Sequence, residues 1–129
     1  MRKVIVIFIL ALTAFSGCKK DDFYDKFVPE VLYYEKDKVE NADFVTTTLP
    51  AGTTQWTVKA RVSAPMHLKE IKLYKGTDLL ETYTDFQLSP NVYNLQRVVT
   101  GITAETTMKI VAVDADNKTT TRTFIIKVN

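Results

Sequence analysis

The chain has 129 residues, with 17 Lys plus Arg against 15 Asp plus Glu, one cysteine and one histidine. That length builds one domain, and its scattered charges form no basic patch of the kind nucleic acid requires. A lone thiol excludes a disulfide framework and a cysteine-based metal site, and a fold of about 100 residues buries an adequate core without either.

The first element is an apolar run. Arg2 and Lys3 precede "VIVIFILALTAF", residues 4–15, broken only by Thr13. As a helix, such a run covers roughly 18 Å, short of the roughly 30 Å of a bilayer core. A basic start, a short apolar stretch and then small residues predict a secretory signal peptide over residues 1–17. Arg2 and Lys3 leave with it, and the mature side-chain charge is then balanced.

Ser16 and Gly17 lead directly into Cys18. The stretch Phe15-Ser16-Gly17-Cys18 resembles the lipobox of bacterial lipoproteins, with Phe15 where leucine is commoner. The resemblance implies cleavage before Cys18 and acylation of that residue. Two or more acyl chains anchor a protein stably, whereas one does so marginally. An ordinary signal peptide or a short anchor is the alternative. The next residues, Lys20, Asp21 and Asp22, resemble the export signal of Bacteroidetes surface lipoproteins. That resemblance implies an outer-membrane protein displayed on the cell surface; a periplasm-facing anchor is the rival.

Residues 18–28 read as the lipidated cysteine and a tether. The eleven residues from Cys18 to Pro29 reach roughly 37 Å when extended. Phe23, Tyr24 and Phe27 are aromatic for a linker, fit either to enter the membrane interface or to dock on the domain.

From Pro29 onward the patterning has period two, and Thr, at 18 of 129 residues, favours strand over helix. Strands are expected over 30–35, over 44–49 as a short element, and over 55–64. In the last of these, Trp56, Val58, Ala60, Val62 and Ala64 alternate with Thr57, Lys59, Arg61 and Ser63. Further strands are expected over 68–75, with Ile71 and Leu73 inward and Tyr74 outward, and over 79–86. Another covers 92–99, with a bulge at Val98-Val99. Residues 108–115 are apolar on both faces and so central. Residues 119–128 place Phe124, Ile126 and Val128 inward. Turns every 8 to 12 residues predict an all-β, antiparallel immunoglobulin-like β-sandwich of about seven strands over residues 29–129.

"GITAETTMKIVAVDADNKTTTRTFIIKV" resembles the last two strands of bacterial immunoglobulin-like and fibronectin type III-like domains, and "LKEIKLYKGTDLLET" their middle hairpin. Met108 stands where fibronectin type III domains usually carry a tyrosine, and the cysteine and tryptophan set of antibody domains is missing.

Chemistry is sparse. His67 lies in a turn beside Pro65, without an arranged nucleophile or orienting partner. Asp114, Asp116 and Asn117 do not continue into a calcium loop, because Lys118, Thr119 and Ile125 occupy the positions that need an oxygen ligand, a glycine and a glutamate. They suit a hairpin turn. Glu70, Glu81 and Asp85 read as charges on a solvated face rather than a hydrolytic pair. No enzymatic activity, cofactor or metal is expected. The remaining candidates are Tyr74, Tyr83, Tyr33 and Tyr34, as an aromatic binding face; of Tyr33 and Tyr34, adjacent on a strand, one must face outward.

The expectation is therefore an outer-membrane lipoprotein with a binding or accessory module. Its partner would be a glycan or an envelope protein, in glycan or nutrient uptake or in adhesion, by analogy with similar Bacteroidetes lipoproteins. The alternative is a structural spacer or assembly subunit that binds a neighbouring envelope protein.

Overall fold

Alternation of apolar and polar residues sends every second side chain to one side of each strand, and two such half-apolar sheets bury their faces against one another. The computed structural model describes residues 27–129, which form nine strands and no helix. In order they are β1 Glu30–Glu35, β2 Lys38–Asn41, β3 Thr46–Leu49, β4 Trp56–Ser63, β5 Leu68–Lys75, β6 Asp78–Tyr83, β7 Val92–Val99, β8 Thr106–Asp114 and β9 Thr119–Val128. One sheet has the order β2-β1-β4-β7 and the other β3-β9-β8-β5-β6. All pairings are antiparallel except β3 with β9, which is parallel.

The fold is the expected all-β sandwich, with nine strands where about seven are expected. Residues 38–41 form a strand that the sequence does not announce, because "KVEN" carries one apolar residue and lies on a sheet edge. The strand β8 is interior to its sheet, as its two-faced apolar pattern requires.

The core takes Val58, Ala60, Val62 and Ala64 from β4 and the residue after it, Ile71 and Leu73 from β5, and Met108, Ile110 and Ala112 from β8. Phe124 and Ile126 complete it from β9, but Val128 lies beyond the core at the strand end and is exposed. The bulge expected at Val98-Val99 is not formed. Trp56 pairs with Val99 and Thr57 with Val98 in an unbroken register, so Val98 is simply an exposed valine on the outer face. Irregularities fall instead in the β1–β2, β5–β6 and β5–β8 pairings.

Two poles follow from the strand directions. The chain enters β1 beside the end of β4, where Glu30 pairs with Ser63. At that pole the turn after β4 meets the β8–β9 turn, with the Ala115 amide donating to the His67 carbonyl at 2.9 Å. The strand β1 then runs roughly 20 Å to the β1–β2 turn at the opposite pole.

Candidate functional site

Cys18, expected as the lipidation residue, and Lys20, Asp21 and Asp22, expected as the export signal, lie outside the described residues. Of the tether, Phe27 is half-buried and Val28 exposed.

The four candidate tyrosines do not gather on one face. Tyr33 is a core residue, about 1% exposed, packed edge-on to Phe124 at 4.5 Å between ring centroids. Its hydroxyl donates to the Arg122 carbonyl at 2.8 Å. Burial pushes its phenol above the ordinary value, opposed by the Arg122 charge. Tyr34, the next residue, takes the outward position that alternation requires. Its hydroxyl is 3.5 Å from Glu40 Oε1.

Tyr74 lies on the outer side of β5, where the Lys109 ammonium sits 4.4 Å from its ring centroid. Tyr83 lies opposite Ile71, a core residue, and turns inward to pack on Tyr93 at 5.2 Å. The irregularity between Leu73 and Tyr74 shifts the phase of the hairpin, which separates the two tyrosines. Burial, reinforced by Glu81, pushes the Tyr83 phenol up to about 12. Burial and then Glu81 and Asp85 raise that of Tyr93. Arg97 reaches Glu81 at 3.0 Å and so links the edge strands β7 and β6 of the two sheets.

The acidic residues of the β8–β9 turn serve the turn. Asp114 is fully buried, and its Oδ1 accepts from the amides of Asp116 at 3.0 Å and Lys118 at 2.8 Å. Asn117 takes the left-handed conformation, with φ of 63°, that closes the hairpin. Among the described residues no group of three or more His, Cys, Asp or Glu is placed to hold a metal ion.

A groove of about 540 Å³ opens at the pole away from the tether. Its walls are the β1–β2 hairpin, from Tyr34 to Val39, and the start of β4, from Gln55 to Lys59. It exists because β1 leaves β4 early. The strand β1 pairs with residues 60–63 only, whereas β7 accompanies β4 along its whole length. After Tyr33 the strand β1 follows β2 instead. Tyr34 and Trp56 supply aromatic surface, and Lys36, Lys38 and Lys59 supply positive charge. Sequence reasoning named Tyr34 but placed Trp56 in the core. Trp56 is in fact half-buried, packed against the core at the strand end while lining the groove. The available signal was the charged turn "EKDK" after a strand, which marks a hairpin once β2 is recognised.

No family model matches the chain, and no curated protein is similar to it. Among solved structures, the fold is similar to the fibronectin(III)-like modules of Clostridium thermocellum CbhA. The identity is 18%, the match covers 77% of this chain and 94% of that one, and the TM-score is 0.50. The domain thus has a fibronectin(III)-like fold of the immunoglobulin-like class.

Proposed function

We propose that this chain is a lipid-anchored outer-membrane protein whose fibronectin(III)-like domain is a binding or accessory module, displayed on the cell surface. The observation that carries the reading is the run Phe15-Ser16-Gly17-Cys18 behind a short apolar segment, followed by a tether that enters the sandwich at one pole. The groove at the other pole is thereby held away from the membrane, where a ligand arrives. Lys20, Asp21 and Asp22 support display on the outer face, and a setting in glycan or nutrient uptake or adhesion follows by analogy with similar surface lipoproteins.

The test replaces the acyl acceptor. Wild-type protein should incorporate a palmitate analogue and partition with membranes, whereas Cys18→Ala should stay unlabelled and be soluble or unprocessed. Full membrane partitioning of the variant at the normal mature mass would sink the anchor reading.

A second reading is an assembly subunit that pairs with a neighbouring envelope protein. It is favoured by one observation, the uncovered flank of β4 inside the groove. Affinity capture from intact cells separates the two by recovering either a glycan or a protein.

A further inference from the structure

We propose that the groove beside residues 56–59 receives an extended acidic peptide, which adds to the sheet as a short strand along β4. The inference rests on the binding-module reading and names the partner chemistry of that site.

The backbone supplies the first argument. Residues 56–59 pair with β7 on one side and with no described strand on the other. In an antiparallel strand, successive residues direct their N–H and C=O groups to opposite sides. Part of that segment's hydrogen-bonding capacity therefore faces the groove, and an uncovered edge is a template for another chain. Four residues of strand extend about 13 Å, room for a short added strand in line with β1.

Charge supplies the second. Several cations elsewhere on the domain are engaged: Arg61 by Glu40, Lys72 by Glu70, Arg97 by Glu81 and Lys109 by the Tyr74 ring. Among the described residues no hydrogen bond or ion pair engages the ammonium groups of Lys36, Lys38 or Lys59, all three exposed and all lining the groove. Of the two acids there, Glu35 accepts from the Asn41 side-chain amide at 2.6 Å and Asp37 stands at the turn. The groove lining thus carries three positive charges against two negative ones, a net positive balance. Carboxylates at alternate positions of an added strand lie on one face, as Lys59 and Tyr34 do on the domain.

An acidic glycan could use the lysines and the aromatic rings, but it has no repeating ladder of N–H and C=O groups to match that of residues 56–59. Main-chain dependence therefore decides between the two occupants.

Trp56 is the only tryptophan of the chain, so its emission reports from the groove wall. The protein as purified from its membranes or soluble fraction, in detergent, is titrated with an eight-residue peptide carrying Glu at alternate positions and Val or Thr between them. Its basic counterpart, a version N-methylated at alternate amides in both phases, and oligogalacturonate are the other probes. The acidic peptide should shift the Trp56 emission, and the basic one should not. N-methylation in one phase should weaken binding about tenfold, since it removes hydrogen bonds and blocks close approach. Lys59→Glu, a change at an exposed position, should weaken it about fivefold or more through like-charge repulsion, with an unchanged circular dichroism spectrum. The proposal is overturned if the acidic peptide leaves Trp56 unmoved, if both N-methylated forms bind as well as the parent, or if oligogalacturonate binds and the peptide does not. None of these readouts depends on Cys18, so this proposal and the anchor reading fail separately.

Discussion

The hydroxyl of Tyr33 on β1 donates to the main-chain carbonyl of Arg122 on β9, and the Arg122 guanidinium lies 5.3 Å from the centroid of the same ring. The guanidinium also donates to the carbonyls of Val31, at 2.7 Å, and of Ala42 and Phe44. One side chain thereby satisfies the backbone of β1 and of the β2–β3 connection, where the chain crosses from one sheet to the other. A planar fork does this, and an ammonium cannot. Arg122→Ala should lower stability by about 2–3 kcal/mol, and Arg122→Lys should recover less than half of that loss. Tyr33→Phe, which keeps the ring and removes one hydrogen bond, should cost about 1 kcal/mol. Chemical denaturation of the three variants checks the ordering.

Adjacent residues of β4 give a second test. Val62 is fully buried, while Arg61 meets Glu40 at 2.9 Å on the outer face. Val62→Asp buries a carboxylate without a partner, at a cost of several kcal/mol. Set against a typical total of about 5–15 kcal/mol, that leaves much of the protein unfolded. Arg61→Asp should cost about 1 kcal/mol, from a partly exposed ion pair replaced by like charges. Equal denaturation midpoints for the two variants would contradict the burial described for this strand.

Tyr33, Tyr83 and Tyr93 have phenols held above their ordinary value, chiefly by burial. The folded state favours the neutral phenol. The stability this confers is complete below the unfolded value of about 10 and is lost as pH rises through the folded values. Stability should therefore fall above pH 10, through the value of about 12 for Tyr83. Tyr83→Phe should make the decline shallower. Ultraviolet titration of phenolate alongside circular dichroism checks whether these rings ionise only as the fold opens.

Surface display has its own readout. Added protease should shave the wild-type protein from intact cells, and the Asp21→Ala, Asp22→Ala double variant should be protected. Equal shaving of both forms would remove the acidic pair from the export signal.

Most of the sandwich was legible where burial is one-sided. The bounds expected for 30–35, 68–75, 92–99 and 119–128 coincide with β1, β5, β7 and β9. Past Trp56, alternation marked which residues of β4 are buried, because one face of this strand meets the other sheet and the opposite face is solvated. Legibility failed at the edges. Val39, the sole apolar residue of β2, is 72% exposed, so no period marks that strand. Tyr83 was expected near Tyr74 on one face, but the hairpin register shifts at Leu73 and Tyr83 turns inward. The groove was invisible for a related reason. It arises where β1 parts from β4, and a parting of strands depends on three-dimensional register rather than on residue type.

The parallel pairing of β3 with β9 bears on the order of assembly. It joins residues 46–49 to residues 125–128, and β3 has no other neighbour in its sheet. The Tyr33 hydroxyl likewise finds its acceptor 89 residues later. Closing loops of that size costs chain entropy before any contact is gained, so folding should take milliseconds to seconds. A chain emerging from a ribosome or a translocon lacks the docking site for β3 until residues 119–128 have arrived. The edge strand β3 is therefore completed only after the C-terminal strand is in place, although β1 can already pair with β4.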